Sequence, residues 1–424
     1  MEIPKGLRTY LYSQSARKRW IEESILKVFF RWGFQEIITP VFEYLDTFST
    51  GINGDSTNRV FKFTERSTGR LLALRPDITT QIARTAATLL RDSPKPLRLC
   101  YCGSVFRGAD PGRGERQELY QAGIELIGLD SPEADAETIA IAIECMKELG
   151  VEGFKVAIGQ VEFFRGMLSD TGLDENYKEE IKLKIQKKDT TGLEEVLNRC
   201  NIKPEKKERI KNIPTLFGRR EVIDRAREIA DNPVSLGAID NLESVYTMLT
   251  IHGVNDSVLI DLGEIRGFGY YTGIIFEGFI KGLGVEVCGG GRYDNLLARF
   301  GANIPATGFA VDINRVIDAI EKDGKQKRDF MIDYLVIDFR DDKRAALEIS
   351  RRLRERGYNV ARDIMKRGFS DSLEFAEKMN IHKIILMGTG DIKEGEAMVK
   401  EISTGEERKI KIEDLLNIIP NPKK

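Results

Sequence analysis

The sequence predicts an α+β protein: an antiparallel sheet flanked by helices, carrying a helical insertion and followed by a small α/β domain. Three observations lead there. Alternating apolar runs recur in pairs with helices gathered between them, residues 165 to 255 turn highly charged and helix-rich, and the chain beyond a polar linker near residue 329 alternates β-α-β-α-β. A parallel nucleotide-binding fold fits this order less well.

After an extended IPKGLRTYL lead-in, Ala16, Trp20, Ile21, Ile25, Val28 and Phe29 recur at helical spacing, which predicts a helix over 13–32 capped by Gly33. FQEIITPVFEYLDTF reads as a strand broken by Pro40 and then a short helix. RVFKFTE and RLLALRP alternate and are joined by RSTG, a hairpin. Pro76 closes it, and DITTQIARTAATLLRD opens a helix with Asp77 in a capping position. LRLCYCGSVFR, the loop ADPGRGERQ and ELYQAGIELIG repeat the strand-loop-strand pattern, and a helix over 133–149 leads to Gly150. The insertion, about 165–255, has few strand signals. The sheet resumes at VLIDLGEIRGFGYYTGIIFEGF and closes with GFAVDINRVIDAI, so the expected domains are 1–324 and 333–424. The second reads DYLVIDF, helix DKRAALEISRRLRERG, strand YNVARD, helix FSDSLEFAEKMN and strand HKIILMG.

Composition narrows the function classes. The 424 residues exceed one ordinary core, and 41% hydrophobic with 31% charged residues is globular material. Lys plus Arg number 65 against 67 Asp plus Glu, a net charge of -2, which supplies no overall drive toward nucleic acid. Cys100, Cys102, Cys145, Cys200 and Cys288 form no CxxC pair, which argues against a disulfide framework or zinc site and for reduced thiols. The opening MEIPKGLRTYLYSQSARKRW has no apolar core of signal-peptide length, and no run of about 18 apolar residues occurs, so a cytoplasmic protein without membrane contact is expected.

The polar residues with most to say lie at strand positions or strand edges. Asp77 and Thr79 follow the first hairpin, Arg107 ends a strand, Gln121 and Glu125 share one face of the next, and Arg266, Tyr270 and Tyr271 belong to a late strand in IRGFGYYTGIIFEGF. Carboxylates for an ammonium, arginine for a carboxylate, and Tyr with Glu for a polar ring together suit a zwitterion. Each has a plainer role open to it: Asp77 as a helix cap, Glu125 as a solvent-facing strand residue, the tyrosines as core, the GGG of GVEVCGGGRYDNL as a bend.

Across nearly its whole length the chain resembles the histidyl-tRNA synthetase family, on IPKGLR, FQEIITPVFE, LRPDIT, FRGADPGRGERQELYQAGIELIG, DAETI, IRGFGYYTGIIFE, GGGRYDNL and GFAVDINRV in order. The resemblance implies a class II aminoacyl-tRNA synthetase-like core with a six- or seven-stranded antiparallel sheet, normally dimeric, and an anticodon-binding-like domain after it. It implies that Asp77 and Thr79 hold a histidine ammonium, Gln121 and Arg266 its carboxylate, and Glu125 with Tyr271 its imidazole, with Arg107 and Tyr270 completing the histidine-binding set. No catalytic residue, metal or cofactor is implied.

The nucleotide half departs from the enzymes. Arg107 of the synthetase pattern FRYERPxxGRYRQF is kept, but Ala109, Asp110, Glu115 and Gln117 follow it. Gly269 replaces the aspartate of RGLDYY, and Asp312 and Asn314 stand where synthetases show glycine and glutamate before the retained Arg315. An aspartate a few ångströms from a triphosphate repels it by about 1 to 4 kcal/mol. Such a chain is similar to the regulatory-subunit family of ATP phosphoribosyltransferase, synthetase paralogues in histidine biosynthesis. That likeness implies a short-form ATP phosphoribosyltransferase catalytic subunit as partner, L-histidine as allosteric effector, and a dimer within a hetero-octamer of four catalytic and four regulatory chains. The alternative is a divergent histidine-tRNA ligase, favoured by the terminal domain; against it, Arg351, Arg352, Arg354 and Arg356 make a basic helix without stacking aromatics and read as a solvated face.

Overall fold

The computed structural model describes residues 2–51, 59–108, 116–265, 270–323, 332–365 and 367–419. The chain divides into two units, Met1–Lys327 and Arg328–Lys424. In the first, α1 (Tyr12–Arg31) buries Ile21, Ile25, Val28 and Phe29 along one stripe, and Gly33 at φ 77° turns the chain out of it in a conformation that suits glycine. Next come β1 (Gln35–Glu36), β2 (Phe42–Tyr44), α2 (Leu45–Gly51), β3 (Lys62–Thr64), β4 (Leu71–Leu74) and α3 (Thr79–Ala87). β2, β4 and β3 form a small antiparallel sheet of their own.

β5 (Leu97–Phe106) and β6 (Glu118–Ile127) pair along their whole length. α4 (Pro132–Glu148) starts where Ser131 accepts the Ala134 amide and Pro132 occupies the first turn. β7 (Phe154–Gln160) leads into α5 (Val161–Ser169), α6 (Glu175–Gln186), α7 (Thr190–Arg199), α8 (Pro204–Asn212), β8 (Phe217–Gly218), α9 (Glu221–Ile229) and α10 (Pro233–Ile251). β9 (Val258–Asp261), β10 (Ile274–Ile280), β11 (Glu286–Arg292), β12 (Ala306–Asp312) and α11 (Ile313–Asp323) complete the unit.

Among the described residues the main sheet has nine strands in the order β1-β5-β6-β12-β11-β10-β7-β9-β8. The middle block from β5 to β7 is antiparallel throughout, but β1 joins β5 and β9 joins β7 in parallel, so the sheet is mixed rather than wholly antiparallel. The cause is connectivity: β7 reaches β9 through the helices α5 to α10, and a long crossover of that kind permits a parallel neighbour. No strand is expected at FKVAIGQ, yet it forms β7; the alternation of buried Phe154, Val156 and Ile158 is the signal that marks it.

Alternation also sorts the strands into two faces. Cys100, Ala122, Ile124, Leu126, Phe309 and Val311 join the core built with α1, α4 and α11. Leu97, Leu99, Tyr101, Val105 and Ile127 point the other way, against Ile82 and Ala86 of α3. Gln121 and Glu125 share the parity of Ile127 and therefore open onto that second face.

The second unit holds β13 (Tyr334–Asp338), α12 (Arg344–Glu355), β14 (Val360–Arg362), α13 (Phe369–Lys378), β15 (Lys383–Met387), β16 (Glu396–Glu401), β17 (Glu407–Lys411) and α14 (Ile412–Ile418), with sheet order β14-β13-β15-β16-β17. The β16–β17 hairpin and α14 go beyond the expected β-α-β-α-β run, because ERKIK is exposed along almost all of β17 and so shows no apolar face. On α12, Arg351 and Arg352 both pair with Glu348. No helix among the described residues is long and apolar enough to cross a membrane.

Candidate ligand-binding site

The face of β6, β11 and β12 turned away from α1 floors a cavity of about 990 Å³. Asp77, Thr79, Arg107, Gln121, Glu125, Tyr270 and Tyr271 all line it. Arg266 lies outside the described residues, as do Ala109, Asp110, Glu115 and Gly269. Tyr270 and Tyr271 sit just ahead of β10 rather than on a strand. The Thr272 amide and hydroxyl bond Arg292 and Asp294, so the ladder begins only at Ile274.

Glu125 is the centre of this constellation, 1% exposed at the middle of the sheet. Thr79 Oγ1 donates to its Oε1 at 2.7 Å, and the Tyr293 hydroxyl donates to its Oε2. Burial pushes its carboxyl up to about 8; the two donated bonds work the other way, and Asp77 adds to the rise. Such a group is neutral or charged at little cost near physiological pH, which suits a partner that itself titrates there. Glu125 faces Gly308 across the ladder, where a Cβ would come within 2.0 Å of Glu125 Oε2, so only glycine leaves the carboxylate room.

Aromatic rings wall the same end. Tyr270 stands edge-on to Tyr271 at 5.0 Å and stacks on Tyr293 at 5.4 Å, while buried Tyr101 lines the cavity from β5. Burial, with Glu125 second, raises the Tyr270, Tyr271, Tyr293 and Tyr101 hydroxyls, keeping them as neutral donors. Asp77 does two jobs: it lines the cavity, and its Oδ1 accepts the Thr80 amide at 2.8 Å where α3 begins. The cap and the ligand group are one residue.

At the other end Arg315, one of the lining cations, is engaged by carboxylates. Arg315 contacts Asp312 at 3.3 Å and Glu286 at 2.5 Å; Arg116, which does not line the cavity, places one nitrogen between the two Asp318 oxygens at 3.0 and 2.7 Å. Burial raises the Asp312 carboxyl, opposed by the Arg315 amide and charge. Arg107 Nε donates to the Pro76 carbonyl at 3.0 Å. Asn314 does not line the cavity: its Oδ1 accepts the Tyr120 amide and its Nδ2 donates to the Tyr10 hydroxyl, each at 2.7 Å. A polyphosphate entering here meets Glu277, Glu286 and Asp312 on the wall.

Sequence reasoning misses Tyr101, Tyr293, Arg59 and the α6 residues Lys182, Leu183 and Gln186, all of which line the cavity. Tyr101 shares strand parity with Leu99 and Val105, which is a usable signal; Lys182 and Gln186 come from a charged helix about 55 residues beyond β6 and carry none.

Comparison with known proteins places this geometry. Residues 6–316 match the histidyl-tRNA synthetase family model and residues 329–421 the anticodon binding domain model. The ATP phosphoribosyltransferase regulatory subunit of Geobacter sulfurreducens is 42% identical over 409 residues, covering 96% of this chain and 93% of its own. The chain belongs to the family of ATP phosphoribosyltransferase regulatory subunits. A solved structure described as an ATP phosphoribosyltransferase regulatory subunit/histidyl-tRNA synthetase from Bacillus halodurans superposes with a TM-score of 0.82 at 31% identity, over 92% of this chain and 99% of that one. A histidyl-tRNA synthetase from Nostoc sp. PCC 7120 shares the fold, with a TM-score of 0.85 at 23% identity and 98% of each chain covered. Regulatory subunits of this family are thus built on a class II synthetase-like core with an anticodon-binding-type domain.

Proposed function

We propose that this chain is a non-catalytic regulatory subunit: it activates a short-form ATP phosphoribosyltransferase catalytic subunit and relays feedback inhibition by L-histidine in the first step of histidine biosynthesis. The observation that carries the reading is the inequality of the cavity's two ends. The aromatic end keeps a buried, ambivalent carboxylate with donors on both oxygens, whereas Arg315 at the other end is already paired with Asp312 and Glu286.

In this reading Asp77 and Thr79 take the ammonium, Gln121, Arg107 and Arg266 the carboxylate, and Glu125 with Tyr270 and Tyr271 the imidazole. Histidine inhibits only through its differential affinity for two states of the assembly. Self-association as a dimer, within a hetero-octamer, is part of the proposal; exposed Ile38, Val41, Phe42, Phe63 and Leu71, on and beside the small sheet, support it. The second reading, a histidine-tRNA ligase, draws its support from the anticodon-binding match over 329–421.

Two assays on the purified full chain decide between them. A catalytic partner inactive alone, activated by this chain and inhibited by histidine only in its presence, is the expected result. Histidine-dependent ATP-pyrophosphate exchange by the chain alone overturns the regulatory reading in favour of the ligase.

A further inference from the structure

Two stretches of chain wall the aromatic end, 270–272 and 292–294, and they are bound to each other by a carboxylate that does not line the cavity. Thr272 Oγ1 donates to Asp294 Oδ2 at 2.8 Å, and the Asp294 amide donates back to Thr272 Oγ1 at 3.0 Å. The second carboxylate oxygen, Oδ1, accepts from the Ala306 amide at 3.1 Å and from Arg292 at 3.2 Å. One side chain therefore ties together the turn before β10, the end of β11 and the start of β12. Arg292, itself 5% exposed, runs on to Asp135 at 3.0 Å and to the Leu129 and Ser131 carbonyls, anchoring the junction to the first turn of α4.

The residues next to this junction are the ones that face the ligand. Tyr271 precedes Thr272, and its carbonyl accepts from Arg165 of α5 at 3.1 Å, so it is held from both sides. Tyr293 precedes Asp294 and donates to Glu125, while its ring stacks on Tyr270. The Thr272–Asp294 bonds, with the bond of the Thr272 amide to the Arg292 carbonyl at 2.7 Å, join the stretch that carries Tyr270 and Tyr271 to the one that carries Tyr293.

We infer that Asp294 and Thr272 are positioning residues for ring recognition: without touching the ligand, they fix the width of the slot between Tyr271 and Glu125 that takes the imidazole. The inference rests on the histidine reading above. Rotamers locked by outer hydrogen bonds hold a binding constellation to within about 0.5 Å, and a looser slot loses affinity without losing the fold. Asp294 serves this better than an apolar residue because its two oxygens satisfy donors on three separate segments at once.

The test is histidine affinity of the full chain by calorimetry, with thermal unfolding recorded beside it. Thr272→Val keeps the shape and removes the hydroxyl; it should weaken histidine about tenfold, the scale of one lost hydrogen bond. Thr272→Ser restores the hydroxyl and should bind as the unaltered chain does. Asp294→Asn should weaken binding in the same direction. Valine binding like the unaltered chain overturns the inference, as does serine being as defective as valine, since the methyl rather than the hydroxyl would then matter. Should Asp294→Asn not fold, the valine and serine pair still decides. An unaltered chain that takes up no histidine overturns the ligand reading and this inference with it, whereas histidine binding indifferent to Thr272 removes the inference alone.

Discussion

The two ends of the cavity rise from the same strands, yet their charges are in opposite conditions. Glu125 lies on β6 with a hydroxyl donating to each oxygen and, among the described residues, no ion pair with a cation, so burial leaves its proton loosely held near neutrality. Asp312, on the neighbouring β12, has Arg315 against it, and Arg315 in turn has Glu286. The first arrangement waits for a ring that can share a proton; the second has answered its own charges. On the proposed histidine reading, a few carboxylates suffice to close one half of a synthetase-like site while the other half keeps its ligand, and no strand has to move.

The sharpest way to break this comparison is at Glu125. Glu125→Ala should weaken histidine inhibition of the reconstituted complex about hundredfold, a loss of about 3 kcal/mol for a buried charge-assisted pair, while activation of the partner persists. Inhibition curves that do not shift would remove Glu125 from the ligand.

A second effect is on stability against pH, where each unit by which folding displaces a pKa is worth about 1.4 kcal/mol. The folded chain holds a proton on Glu125 that the unfolded chain gives up between pH about 4.5 and about 8. The unfolded state binds fewer protons there, so this group makes stability fall as pH rises through that window and leaves it level below. Glu125→Gln should flatten the trend, its margin over the unaltered chain growing toward pH 8 in denaturant titrations. Parallel pH profiles for the two chains would show that the carboxyl is not held neutral.

The smallest effect is expected at the opposite end. Asp312→Asn keeps the acceptor for the Arg315 amide but removes the charge, and should tighten ATP binding about fivefold, or ~1 kcal/mol, by equilibrium dialysis. No gain would mean that Arg315 is held by Glu286 alone.

Legibility followed the same division. Gln121 and Glu125 were readable because a strand repeats every two residues, and β6 keeps that period along its whole length. The helix α1 was readable from its apolar stripe and Gly33, and α4 from the run that ends at Gly150, while the Ser131 cap that starts α4 was not read. Tyr270 and Tyr271 were assigned to a strand because an apolar run follows them, but the Thr272 bonds to Arg292 and Asp294 delay the ladder, and tertiary hydrogen bonding of that kind leaves no local trace. The parallel edges of the sheet were equally hidden, since strand direction depends on where a crossover lands and not on any residue within the strand. Tyr293 was passed over for a related reason: its partner Glu125 lies 168 residues away.

The raised carboxyl of Glu125 also governs where a proton goes when the proposed effector arrives. At pH 7 the imidazole of free histidine is mostly neutral, with an ordinary pKa of about 6.5, while Glu125 at about 8 still holds its proton. Forming an imidazolium–carboxylate pair then only hands that proton across the cavity, and the bulk solution neither gains nor loses one. Heats of binding measured in Tris and in phosphate should therefore coincide at pH 7. Above pH 8 the carboxyl has already ionised, the ring must draw its proton from the buffer, and the two heats should part by the difference in buffer ionisation enthalpy.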